Sequence, residues 1–170
     1  MAGFRISTYH WPTEGATVPA AARGADKLAL ARQLGAYATI DYSEPEWPKT
    51  IRKCYASVDI ALDGVGGLLG HQIVDLVTEG GTFSGYGMAA GTPTVVDGDI
   101  ARARNVEALT IEQLNPYQTV RPTRVARLLA MAARGEIAPV IGASFPLSDA
   151  AAAHRALRDR ALLGKAILRP

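Results

Sequence analysis

The sequence predicts an α/β fold with a mainly parallel sheet. Three observations lead there. Strand and helix patterns alternate along the 170 residues, as crossover-linked parallel strands require. Val58 to Leu62 is a short continuous apolar run ended by Asp63-Gly64, typical of a strand covered on both faces by helices. Residues 57–87 then read strand, helix, strand, a single βαβ unit, and such crossovers are right-handed.

The elements follow in chain order. Residues 1–14 lack periodicity and are expected to be irregular; Pro12 interrupts them, and Phe4-Arg5-Ile6 is too short a run for a strand. Ala16-Thr17-Val18 is a candidate strand, with Pro19 lacking a ladder donor and pushing it towards a sheet edge. Asp26 to Leu34 reads as a helix stopped by Gly35, and Leu28, Ala31 and Leu34 face inward. Ala38-Thr39-Ile40 is a strand, and Pro48 opens a short helix through Ile51 and Lys53. In the central unit Leu69, Ile73, Leu76 and Val77 share one helical face. Gly80-Gly81 is expected to end that helix and Thr82 to Tyr86 to form the next strand. A loop with one helical turn near Ile100-Ala101 leads to a strand at Val106 to Ile111. Pro122 to Gly135 is a helix with Val125, Leu128, Leu129 and Ala132 on one face. Val140-Ile141 to Phe145 is extended, Ser148 is a candidate helix cap, and Ala150, Ala153, His154 and Leu157 form a small-residue stripe. Gly164 to Leu168 closes as a strand.

Composition narrows the function. A formal charge of +2 with no dense basic run gives no support for nucleic acid. No apolar run is long enough to span a membrane, and no signal-peptide core is present. One cysteine, Cys54, rules out an internal disulfide and a multi-cysteine zinc site, and a reducing, cytoplasmic setting fits best. With His10, His71 and His154 as the only histidines, no metal-ligand spacing is visible. Cys54 has no partner histidine at a recognisable spacing, so no nucleophile is assigned.

In order and spacing, Ala-Arg-Gly-Ala-Asp-Lys at 22–27, Leu-Gly-Ala at 34–36, Ile-Asp-Tyr at 40–42, Asp-Ile-Ala-Leu-Asp-Gly-Val-Gly-Gly at 59–67 and Gly-Gly-Thr-Phe-Ser-Gly-Tyr-Gly at 80–87 resemble the medium-chain dehydrogenase/reductase superfamily, in its zinc-independent, NADPH-dependent quinone oxidoreductase branch. Pro139 to Gly142, Phe145-Pro146-Leu147, Ala153-His154 and Gly164-Lys165 extend the match. The resemblance implies residues 15–138 as an incomplete NAD(P)-binding, Rossmann-like domain, a partial doubly wound and mainly parallel sheet, after an unmatched leader at 1–14. Residues 139–170 are then the helix and strand that normally pack on a GroES-like domain. That domain, the first strand and its glycine-rich pyrophosphate turn have no counterpart here, so the chain is expected to be a truncated form, inactive alone, that binds NADPH weakly.

The same resemblance implies hydride transfer from NADPH to a small-molecule quinone or enone, with no catalytic residue assigned in this chain and no metal. The candidate cofactor residues are Arg23, Lys27, Tyr42, Gly64, Val65, Gly66, Tyr86, Gly87, Met88 and Lys165. Arg23 and Lys27, with Tyr42 beside them, are placed against a ribose 2′-phosphate. Their plain alternative is a pair of solvated charges at a helix start. Gly64, Val65 and Gly66 suit close approach of a cofactor or simply a tight turn. Tyr86, Gly87 and Met88 lie where relatives pass the nicotinamide, and Lys165 matches a lysine of the final strand. Relatives dimerise through the edge matched by Val106 to Ile111, so a homodimer or larger species is expected. The alternative from another class is a non-catalytic remnant or interaction module that pairs through an exposed sheet edge.

Overall fold

The computed structural model describes residues 15–110 and 121–170. The expectations for residues 1–14, and for Ile111, lie outside them. The described residues fall into two compact units, one drawn from the chain up to Asp41 and from Thr123 to Pro170, the other from Tyr42 to Pro122.

In the first unit, β1 (Pro19–Ala22) pairs in parallel with β2 (Ala38–Asp41) across helix α1 (Ala25–Gln33), with Pro19 opposite Ala38 and Ala22 opposite Asp41. The strand therefore begins at Pro19 and does not occupy residues 16–18. A proline is tolerated as the first residue of a strand, and Ala20 and Ala22 are the residues this strand buries. Alanine has little strand preference, which is why the sequence pattern missed it. Ala31 is fully buried under α1, and Gly35 follows the helix with φ 90°.

The unit continues with α5 (Arg121–Ala133), β6 (Ile141–Pro146), α6 (Ala150–Arg158) and β7 (Lys165–Arg169); β6 and β7 form a second parallel pair. Ser148 caps nothing. A 3-10 turn at Leu147–Asp149 precedes α6, whose N-cap is Asp149 without a side-chain bond. Val125, Leu128 and Leu129 share one face of α5, and that face is exposed, Leu129 at 65%. Met131 is the buried residue of this helix.

The second unit holds α2 (Trp47–Tyr55), β3 (Val58–Asp63), α3 (Gly67–Val74), β4 (Val77–Gly85), α4 (Gly98–Ala103) and β5 (Glu107–Leu109). Its sheet has the order β3-β4-β5, all parallel. The core is Ala61, Val74, Val77, Phe83 and Val106, with Val58, Ile73 and Val96 against it. Trp47 and Ile51 are the buried positions of α2, and the Trp47 indole N–H donates to Gln72 Oε1 at 3.3 Å.

Two expectations change here. Helix α3 stops at Val74, and Leu76 and Val77 are buried beyond it, Val77 as the first residue of β4. Gly80-Gly81 does not stop a helix but forms an irregularity inside β4. Val58 pairs with Val77 and Ile60 with Thr82, so β4 accommodates extra residues between these pairs. One type of bulge places a glycine in the left-handed region, and Gly80 has φ 76°. The Arg104 guanidinium fixes this junction, donating to the Val74 carbonyl at 3.3 Å and to the Val77 carbonyl. The helical turn expected near Ile100 is α4. Its N-cap Asp97 accepts from the Asp99 and Ile100 amides at 2.8 and 3.1 Å.

Candidate functional site

Two places gather the sequence-predicted residues, one in each unit.

In the first unit, Arg23 and Lys27 flank the entry to α1. Gly24, with φ 91°, is its N-cap and has no side chain with which to cap it. The Gly24 amide donates to the Asp41 carboxylate at 3.2 Å, which ties the β1–α1 turn to the end of β2. Burial, then the charge of Arg160, then that of Arg23 hold the Lys27 ammonium below the ordinary lysine value of 10.5. Like charges close to a cation disfavour its charged form. Lys27 thus lies in the first turn of α1 beside Asp26, with the charges of Arg160 and Arg23 near enough to act on it.

Arg160 was missed by sequence reasoning. It lies after α6, far along the chain, with φ 56°, a conformation uncommon for a non-glycine residue. Arg160 and the pattern around Arg23 are separated by most of the chain, so no local spacing could have joined them. Tyr42 directly follows β2 and is counted with the second unit. Lys165 opens β7, exposed, in register with Ile141.

In the second unit, the ends of β3 and β4 are fastened to one another. The Tyr86 amide donates to the Asp63 carbonyl at 2.9 Å, Ala89 to Gly64 at 3.3 Å and Ala90 to Val65 at 2.8 Å. The glycines make this close approach possible. A side chain at Gly64 would meet the Tyr86 ring, one at Gly66 the Thr92 carbonyl and one at Gly87 the Gly64 backbone. Gly64, Val65, Gly66, Tyr86 and Gly87 therefore form one packed surface at the carboxyl ends of the two strands, and Met88 is exposed on it. Open α/β sheets bind ligands at such ends.

Beneath that surface lies Asp63, 1% exposed. Its carboxylate accepts from the Val65 amide at 2.8 Å, from the Gly66 amide at 3.1 Å on both oxygens, and from the Thr94 hydroxyl at 2.7 Å. A signal was available: an aspartate followed by a glycine-rich turn commonly accepts amides two and three residues on.

The chain matches the family described as zinc-binding dehydrogenase over residues 34–168. It belongs to that family. Among the curated relatives it is 30% identical to a quinone oxidoreductase of Pseudomonas aeruginosa, over 85% of this chain and 46% of that protein. It is 29% identical to a 2-haloacrylate reductase of Burkholderia, over 92% of this chain and 49% of that one. A mycobacterial protein solved in complex with NADPH superposes with a TM-score of 0.82 at 26% identity, covering 95% of this chain and 52% of its own. The chain is thus a member of the medium-chain dehydrogenase/reductase superfamily, in its quinone oxidoreductase-like branch. It spans about half the length of the curated relatives it matches.

Among the described residues, no group of three or more histidine, cysteine, aspartate or glutamate side chains stands where it could hold a metal ion, and Cys54 is an exposed free thiol. No helix among the described residues is long and apolar enough to cross a membrane.

Proposed function

We propose that this family member binds NADPH in preference to NADH, through its 2′-phosphate, at Arg23, Lys27 and Arg160, and serves a quinone or enone reductase. The observation that carries this reading is the placement of Arg23 and Lys27 on either side of the Gly24 turn into α1, where burial and then repulsion from Arg160 and Arg23 lower the Lys27 pKa. A dianionic phosphate relieves that repulsion, and NADH has no such group. Guanidinium groups pair with phosphate oxygens in two-pronged hydrogen bonds, so Arg23 and Arg160 orient the phosphate while Lys27 supplies a compact charge.

NADPH, when bound, supplies the hydride for the reduction. The chain's own contribution at the strand ends of the second unit is a packed surface with few rotatable parts, which holds its shape when a ligand meets it. The relatives' names support the oxidoreductase class, and a quinone or an activated double bond is the acceptor proposed here. No side chain of this chain is given a proton to move.

The proposed affinity of the 170-residue chain is weaker than micromolar, because its residues before Arg23 hold no G-x-G-x-x-G turn to cradle a pyrophosphate. The proposed setting is the cytoplasm and the proposed assembly a homodimer or larger. Titration of NADPH and NADH into the chain and into Arg160→Ala tests the reading. A phosphate-specific loss supports it, and indifference to the cofactor's phosphate contradicts it.

A further inference from the structure

The carboxylate of Asp63 takes no part in the proposed phosphate site, yet it is among the most deeply buried side chains of the chain. Burying a carboxylate is costly unless donors replace its water. Here the donors come from two segments. The Val65 and Gly66 amides belong to the turn that enters α3, and the Thr94 hydroxyl belongs to the stretch that follows β4. The surroundings are shaped for this contact. Thr94 is itself buried. A side chain at Gly70 would overlap the Thr94 hydroxyl and crowd the Asp63 carboxylate, which lies 2.5 Å from where its first carbon would be. Gly66, at φ 78°, turns its amide towards both carboxylate oxygens.

We propose that Asp63 is a positioning residue: through Thr94 it clamps the 64–67 turn to the 86–94 segment and fixes the ligand-facing surface at the ends of β3 and β4. The clamp also sets what that surface accepts. Asp63 sets the chain's own carboxylate against the Val65 and Gly66 amides that lead into α3, which disfavours a second anion there. The surface is left for an uncharged or cationic part of a ligand, such as a nicotinamide ring. The ligand half of the inference rests on the NADPH reading; the clamp itself does not.

The test uses the full chain and three variants, Asp63→Asn, Thr94→Val and Thr94→Ser, with two readouts. The first is amide hydrogen exchange without ligand. The second is the NADPH dissociation constant, measured where each variant is folded by circular dichroism. Thr94→Val removes only the hydroxyl and keeps the shape, so it remains informative if Asp63→Asn does not fold. In Asp63→Asn and Thr94→Val, exchange at Val65, Gly66, Ala89 and Ala90 should rise by about tenfold or more, while Phe83 and Val106 keep their protection. NADPH should bind about fivefold or more weakly in both. Thr94→Ser, which restores the donor, should behave as the parent chain in each readout. Unchanged exchange at the four loop amides overturns the clamp. So does an equal rise at Phe83 and Val106, which marks a general loss of stability. Looser loops with unaltered NADPH affinity overturn the positioning role. A parent chain that binds no NADPH at all defeats the NADPH reading and the positioning role built on it, and the exchange data still decide the clamp.

Discussion

Burial and, after it, the charge of Arg160 hold the Lys27 ammonium below its ordinary pKa, although Lys27 and Arg160 come from opposite ends of the described chain. This pairing of like charges is the most functionally pointed feature of the first unit.

Replacing Arg160 should let Lys27 recover. In Arg160→Ala the Lys27 pKa should move up towards 10.5, because one of the two repelling charges is gone. The sign for stability follows from linkage. With its folded pKa depressed, Lys27 binds fewer protons in the folded than in the unfolded chain at pH values between the two, so stability rises with pH through that window, which ends at 10.5. Below it the cost of charging Lys27 is present in full. Nuclear magnetic resonance titration of the Lys27 side chain checks this; an unmoved Lys27 in the variant would show that Arg160 is not its neighbour in solution.

Phe83 is the packing centre of the second unit, with no exposed surface and Ala61, Val74, Val77 and Val106 in the same cluster. Phe83→Ala should cost about 3–5 kcal/mol, much of the roughly 5–15 kcal/mol that stabilises a typical domain. Urea denaturation followed by circular dichroism measures it. A loss below about 1 kcal/mol would mean the cluster is not the core.

Asp97→Ala should weaken α4 by about 1 kcal/mol, since it frees the amides of Asp99 and Ile100 that Asp97 now caps. Asp97→Ser should recover most of that. Denaturant midpoints of the two variants decide; equal midpoints for alanine and serine would refute the capping role.

Self-association should be visible in solution. Among the described residues β5 is the last strand in the order β3-β4-β5, and α5 exposes Val125, Leu128 and Leu129. Unpaired edges and apolar faces favour association. Light scattering after size exclusion should give a mass of a dimer or more, and a monodisperse species of 17.9 kDa would contradict this.

Much of the fold was legible because strongly patterned segments carry their own signal. Val58 to Asp63 and the helix after Ala25 lie close to where periodicity places them. The failures share a physical cause, the override of local pattern by tertiary contact. Leu76 and Val77 continue the apolar spacing of α3, but burial in the sheet claims them. Ala20 and Ala22 lack strand preference and are held by pairing with β2. Ser148 has the chemistry of a cap, yet the 3-10 turn leaves Asp149 at that position. At the site, the glycines were legible and the reason for them was not, because the loop that fills the space beside Gly64 and Gly66 arrives only after a whole helix and strand. Asp63 was readable as a turn aspartate; its bond to Thr94 and the approach of Arg160 to Lys27 depend on the folded chain alone.

The most direct test of the account is calorimetric titration of NADPH and NADH into the chain, Arg160→Ala and Lys27→Ala, at matched salt. The account predicts that the parent chain prefers NADPH, and that each variant loses about tenfold or more in NADPH affinity while NADH binding stays as it was. Equal affinity of the parent chain for both cofactors, or equal losses for both in the variants, would contradict it.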